Sequence, residues 1–338
     1  MTKAALITGV TGQDGSYLAK YLIKKNYKVI GTTKNLSKVD VWRLKRLKID
    51  KKIILDELNL NSKNSIDKIF KKYKFSEFYN LAGHSIVTTS FKNKLKTANT
   101  TAMGVLKILE AIKKNNRNIK FYQATTSEIF GDSNTKFQNE NSNYRPKNPY
   151  AISKLFAHLI TKNVREYDKL FAVSGILFNH ESPLRGEEFI TRKIIKGLIN
   201  ILNNKQKCIE VGNIDSKRDW GFAGDYVKVM WKMLQQKVPE DYVISTGKAH
   251  SVKYFIDLAL KNLKIKGSWI GKKNNRMFVT DNNKIIIKIS KKFIRKKEYK
   301  LLVGNSSKAK KNLNWTPKTS LNNLVKFMIK EEKRFINN

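Results

Sequence analysis

Short apolar runs alternate with longer stretches of helical spacing through the first half of the chain. Residues 4–10 form an apolar run ending in glycine-rich sequence, which predicts a buried parallel strand. Residues 13–25 follow with Tyr17, Leu18, Tyr21 and Leu22 on one side of a helix. Residues 28–33 predict a second strand, and 52–55, 77–82 and 119–124 three more, separated by helical patterns at 62–73 and 97–115. A helix at 148–167 and a strand at 170–178 continue the series. Strand and helix alternating at this spacing imply right-handed βαβ units, and so an α/β fold with a doubly wound parallel (Rossmann) sheet.

After residue 179 the alternation loosens. Helices are expected at 189–202 and 222–236, strands at 241–245 and 284–289, and a closing amphipathic helix at 321–335. The expected organisation is a nucleotide-binding domain over 1–178, to which some later segments return. A smaller, partly interleaved substrate domain over 179–338 would close a cleft for the ligand.

Composition narrows the class. The hydrophobic fraction of 41% suits a globular chain, and no apolar run approaches the ~18 residues of a membrane span. The first ten residues lead straight into the glycine turn and so read as a strand rather than a signal peptide. Cys208 is the sole cysteine, which excludes an intramolecular disulfide and a cysteine-based zinc site; no metal is expected, and a reducing cytoplasm fits.

The 68 basic residues against 27 acidic give +41. Such a surface could bind nucleic acid by releasing counterions. It could equally reflect lysines filling solvated positions throughout. The lysines are scattered, with no helix-turn-helix or aromatic-basic pattern, so no specific nucleic-acid partner is expected. An anionic nucleotide would still be drawn to this surface.

Gly9, Gly12 and Gly15, with Thr11, Gln13 and Asp14 between them, have G-x-x-G-x-x-G spacing between a predicted strand and a predicted helix. Glycines let the backbone approach a pyrophosphate, and the helix N-terminus offers free N–H groups. An acidic residue at the end of the second strand would favour NAD through the ribose 2′-hydroxyl. Here Thr32, Thr33, Lys34 and Asn35 stand instead, with Ser37 and Arg43 beyond. NADP is therefore the expected cofactor, with NAD possible.

Tyr150 and Lys154 share a helix face at i, i+4 spacing. A lysine beside a cationic nicotinamide favours the phenolate, so the pair can move a proton while a hydride moves. Thr126-Ser127-Glu128 should emerge at the carboxyl edge of the sheet, where such folds bind ligands. Thr126 can hydrogen-bond the reacting oxygen. Glu128 adds a carboxylate able to take a proton made acidic by an adjacent ketone. The combination suggests oxidation, elimination and re-reduction.

These residues, together with Gly175-Ile176-Leu177-Phe178-Asn179-His180-Glu181-Ser182-Pro183, Thr191-Arg192-Lys193 and Lys217-Arg218-Asp219-Trp220-Gly221, carry a resemblance. The chain resembles the GDP-mannose 4,6-dehydratases, which are extended short-chain dehydrogenase/reductases, over nearly its whole length. The resemblance implies that Tyr150 takes the O4 proton as hydride leaves C4, with Lys154 and Thr126 assisting. Glu128 would take the C5 proton, water would leave C6, and the hydride would return there. By the same resemblance Leu81, Ala82, His84, Ser85, His180 and Arg185 contact the cofactor. Ser85, Ser127, Asn179, Lys193, Arg218, Arg295 and Glu298 lie near a GDP-sugar. Positions that depart from the family pattern are Lys34-Asn35 in place of two arginines, Asn59-Leu60 near the adenine, Gly83-His84-Ser85-Ile86, and Lys96 near the nicotinamide ribose. The resemblance also implies a homo-oligomer, a tetramer or at least a dimer. A related GDP-sugar such as a GDP-heptose stays open as substrate, as, further off, does an epimerase or reductase activity.

Overall fold

The computed structural model describes residues 3–83, 86–132, 136–294 and 302–336. Its central sheet begins with strands β1 (Ala4–Thr8), β2 (Lys28–Thr33), β3 (Ile54–Glu57), β4 (Glu77–Asn80), β5 (Lys120–Thr126) and β6 (Ala172–Leu177). The seventh strand, Tyr242–Ile244, comes from far later in the chain and pairs with β6, giving the order Tyr242–Ile244, β6, β5, β4, β1, β2, β3. Every pairing in this sheet is parallel. Because β1 lies between β2 and β4, the connections leave it in opposite directions and open a crevice at the carboxyl ends of the strands.

Both faces of the sheet are covered. Leu18 and Leu22 of the helix Gln13–Lys24 pack with Val229, Met230 and Met233 of the helix Ala223–Leu234 on one face. Ile66, Ile69 and Phe70 pack with Val105, Ile108 and Leu109 on the other. A separate apolar cluster joins Ile194, Ile195 and Leu198 to Phe255, Ile256, Leu324, Val325 and Met328, so the helices 190–202, 252–263 and 321–336 have a core of their own. Among the described residues no helix is long and apolar enough to cross a membrane.

Several elements depart from the sequence expectation, among them the following. The strand expected at 52–55 begins at Ile54, because Asp50–Lys52 coil into a 3-10 turn. The helix expected over 97–115 is preceded by a short helix, Lys94–Ala98, and widened into a π-type turn at Asn99–Met103. The helix Val252–Leu263, capped by the Ser251 side chain, was not expected, although Val252, Phe255, Ile256, Ala259, Leu260 and Leu263 have plain amphipathic spacing and are buried.

Candidate active site

The glycine turn is built by two packing constraints and leaves one opening. Gly9 has φ +68°, and a Cβ there would meet the Ala82 backbone at 3.1 Å. At Gly15 a Cβ would lie 2.3 Å from the Gly9 carbonyl, so the helix can sit this close to β1 only without a side chain. At Gly12 the only near atom is the Gly9 carbonyl, at 3.2 Å, so the turn is open on that side. Gly12 also caps the helix without a side-chain bond, leaving first-turn N–H groups for an anion.

Beside this turn lies a cavity of about 110 Å³ lined by Thr8, Gly9, Thr32, Lys34, Asn59, Leu60, Ala82 and Thr100, among others. It gathers Lys34, Asn59, Leu60 and Ala82 with the first glycine. The donor set suits an adenosine moiety: apolar Leu58 and Leu60 for a base, threonine hydroxyls and Lys34 for a sugar and its phosphate. Thr8 was not anticipated. Its Oγ1 donates to Asn80 Oδ1 at 2.7 Å and accepts from the backbone N–H of Leu81 and Ala82, each at 3.1 Å, which holds that loop against the turn.

Two residues proposed for the 2′-phosphate are engaged elsewhere. Arg43 donates to the carbonyls of Leu184 at 2.7 Å and Thr11 at 3.2 Å, with its guanidinium stacked on Trp42, so it clasps the glycine turn to the 182–185 loop. Ser37 donates its hydroxyl to Asn35 Oδ1 at 2.7 Å within a turn. Lys34 is exposed, with its stem at the cavity wall. Lys96 is exposed on its short helix.

A second clasp joins Asp14 to His180. His180 Nε2 donates to Asp14 Oδ2 at 2.7 Å, and Nδ1 faces the Phe178 carbonyl at 2.7 Å. Burial pulls the imidazole toward neutrality, but the Asp14 charge and hydrogen bond outweigh it and hold His180 above its ordinary value. Burial likewise disfavours the Asp14 carboxylate, yet His180 holds it below the usual range. With acceptors at both ring nitrogens, the doubly protonated ring fits best. Gln13 completes the link, accepting from Ser182 Oγ at 2.7 Å and donating to the His180 carbonyl at 3.1 Å. Arg185 lies over the Phe189 ring and pairs with Glu181 at 3.2 Å.

The four residues expected to move protons converge at the carboxyl end of β5. Thr126 ends that strand, and its Oγ1 accepts from the Glu128 N–H at 3.3 Å and hydrogen-bonds the Tyr150 phenol. Glu128 is partly buried on the 3-10 turn Ser127–Phe130, with Ser127 fully covered beside it. Lys154 is 5% exposed and donates to the Ala124 carbonyl at 2.7 Å. Its ammonium lies 3.6 Å from where a Cβ at Gly83 would sit, so it faces the loop after β4.

The expected lowering of the phenol invokes the nicotinamide charge, and the chain's own groups act in the opposite direction. Burial pushes Tyr150 up to about 12, with the Thr126 hydrogen bond opposing and the Glu128 charge adding to it. Burial draws Lys154 down to about 8, partly offset by the Asp14 charge. The chain alone therefore keeps the phenol protonated, because removing both groups from water outweighs their neighbours.

Lys154 carries a stability consequence. Its folded value near 8 lies below the ordinary 10.5, so between those pH values the unfolded chain binds more protons and stability rises with pH. Below pH 8 both states carry the proton and the full burial penalty applies. Lys154→Met is therefore expected to stabilise the fold at pH 7 by on the order of 2 kcal/mol, after losing one hydrogen bond. The gain should shrink as pH rises through that window. Calorimetry at pH 7 and pH 10 checks this, and an equal difference at both values would refute it.

The other substrate-side residues are more dispersed. Lys193 lies with its ammonium 3.5 Å from the Phe293 ring centroid, and burial lowers it despite Glu210. Arg218 sits on the strand Lys217–Asp219, paired in register with His250. The Asn179 carbonyl accepts from the Gly221 N–H at 2.9 Å. His84, Ser85, Arg295 and Glu298 lie outside the described residues.

A family model described as GDP-mannose 4,6 dehydratase matches residues 6–328. The GDP-mannose 4,6 dehydratase of Drosophila melanogaster is 43% identical over 339 residues, covering 98% of this chain and 86% of its own length. The Homo sapiens GDP-mannose 4,6 dehydratase is 40% identical over 334 residues, covering 96% and 90%. The Thermotoga maritima UDP-glucose 4-epimerase superposes with a TM-score of 0.82 at 21% identity, covering 98% of this chain and 99% of its own. The dTDP-glucose 4,6-dehydratase of Bacillus anthracis, solved in complex with NAD, gives 0.81 at 18%, covering 98% and 97%. At those identities the two structures share the fold. The dehydratase match spans almost the whole chain, and these two relatives carry the same description: the chain belongs to the GDP-mannose 4,6-dehydratase family.

Proposed function

We propose that this chain is a hydro-lyase converting GDP-mannose to GDP-4-keto-6-deoxymannose with NADP retained through each turnover. The observation that carries the reading is the grouping of a third proton-handling residue, Glu128, with the Thr126–Tyr150 pair at one strand end. Tyr150 takes the O4 proton, with Thr126 holding the same oxygen and the Lys154 ammonium stabilising the phenolate. An oxidised nicotinamide held beside them would supply a reversible hydride acceptor for C4 and C6, so there would be no net redox change. Glu128 takes the proton from C5, whose bonding electrons form the C5–C6 double bond as the C6–O bond breaks. Of the two protons collected, one leaves in the water and one returns to C5.

In this reading Gly9, Thr11, Gly12, Gln13, Asp14 and Gly15 hold the pyrophosphate end of the cofactor. Leu60 and Asn59 face the adenine, and His180 and Arg185 the nicotinamide side. Residues 179–338 mainly bind the GDP-sugar, through Asn179, Lys193, Arg218, Arg295 and Glu298. Lys34 supplies the positive charge for a 2′-phosphate. Lys34→Ala should weaken NADPH binding roughly tenfold while leaving NADH within about twofold, since one exposed charge-assisted contact is worth on the order of 1.4 kcal/mol. Fluorescence titration with both dinucleotides decides it, and equal losses would remove Lys34 from cofactor selection.

A homo-oligomer is supported by exposed apolar side chains on adjoining helices. Ile152, Phe156 and Leu159 recur at i, i+4 and i+7 on the helix Pro149–Glu166, and Phe91, Leu95 and Met103 are exposed on the neighbouring segment. Light scattering of the purified chain should return a dimer or tetramer mass.

The assignment is tested by mass spectrometry of the protein incubated with GDP-mannose and NADP⁺. A product lighter by one water, without net accumulation of reduced cofactor, is expected. Untouched GDP-mannose with GDP-heptose consumed would keep the chemistry and change the sugar, a relevant control because Gly83 and Lys96 depart from the family pattern.

A further inference from the structure

We propose that Asn148 is a positioning residue that ties the Glu128 carboxylate to the helix bearing Tyr150 and Lys154; this rests on the dehydratase reading above. Asn148 is 5% exposed and stands immediately before Pro149, at the N-terminus of the helix Pro149–Glu166. Its Oδ1 accepts from the Ala151 N–H at 2.8 Å, capping that helix. Its Nδ2 donates to Glu128 Oε2 at 3.0 Å. One planar amide therefore spans the two pieces of catalytic machinery, which arrive from separate segments of the chain.

The tie has a fixed polarity. Turning the amide over would set its NH₂ against the Ala151 N–H and its oxygen against the carboxylate, which is unfavourable at both ends. The helix start therefore orients the carboxamide, and the carboxamide in turn holds one oxygen of Glu128. Glu128 sits on a four-residue 3-10 turn and its own N–H donates to Thr126 Oγ1 over a long 3.3 Å. A carboxylate on so short a support gains most from a second anchor, because a small misplacement of a proton acceptor costs much of its rate advantage. Asn148 accordingly serves proton removal at C5 and not hydride transfer from C4, which depends on Tyr150.

The experiment separates those steps. Asn148→Ser retains a good helix cap but is too short to reach Glu128. Asn148→Asp keeps the size and the cap and replaces the donor with a second carboxylate. In single turnovers with GDP-mannose, Asn148→Ser should form reduced cofactor, read at 340 nm, at close to the wild-type rate and then hold it. Entry of solvent deuterium at C5 should slow by roughly 10- to 100-fold, and further in Asn148→Asp. Asn148→Ser should melt near the wild-type temperature. Deuterium entry at the wild-type rate in Asn148→Ser would overturn the proposal. So would equal slowing of both steps with a lowered melting temperature, which would make the amide a helix cap and nothing more. If the wild-type chain itself dehydrates no GDP-sugar, the underlying reading fails and this inference falls with it.

Discussion

Glu128→Gln is expected to stop net dehydration, by about 10³-fold or more, while leaving hydride removal from C4 within about tenfold of wild type. The substitution is nearly isosteric, and a glutamine oxygen can still accept from Asn148 Nδ2, so the local structure should persist. What is lost is a group that can take up a proton. Once C4 is oxidised, the C5–H has no base, elimination stalls, and the hydride cannot return to C6. Reduced cofactor should therefore build up to one equivalent per active site, visible as a stable 340 nm absorbance. A variant that makes product at the wild-type rate would remove Glu128 from the mechanism. One that forms no reduced cofactor would place it in the first step instead.

Tyr150→Phe is expected to produce the opposite signature. The phenol is held protonated in this chain, at about 12, by its burial, with Thr126 opposing that shift and the Glu128 charge adding to it. Without the oxygen nothing accepts the O4 proton, so C4 oxidation itself should fall by about 10³- to 10⁴-fold and no reduced cofactor should accumulate. Binding should change little, because Thr126 and Lys154 stay in place and the ring remains. Stability should drop by about 1 kcal/mol or less, the worth of one hydrogen bond. Rapid-mixing absorbance of both variants side by side distinguishes a block before hydride transfer from one after it. If Tyr150→Phe also accumulated reduced cofactor, the assignment of the first proton transfer to Tyr150 would fail.

Much of this site was readable along the chain. Gly9, Gly12 and Gly15 announce themselves because a close strand–helix approach leaves little choice of residue, as the 2.3 Å approach at Gly15 shows. Tyr150 and Lys154 are equally legible, since i, i+4 spacing on a helix is a local property. Thr126 and Glu128 follow from their place after an apolar strand. Arg43 was readable as a basic residue but not as a clasp, because its partners, the carbonyls of Leu184 and Thr11, lie 141 and 32 residues away. Thr8 and Asn148 escaped for a similar reason. An asparagine before a proline reads as a helix cap, and its second bond, to a carboxylate 20 residues earlier, has no local trace.

The sequence by itself determined most strands and helices of the central sheet, the glycine turn and the shared helix face of Tyr150 and Lys154, because helical and strand periodicity and helix-face spacing act over a few residues. Only the tertiary structure decided how these parts meet. It brought Tyr242–Ile244 to the sheet edge and joined Asp14 to His180 across 166 residues. It also buried Tyr150 and Lys154 enough to push one up and the other down. Desolvation and long-range hydrogen bonds depend on what surrounds a group in space, and no local pattern in the chain encodes that surrounding.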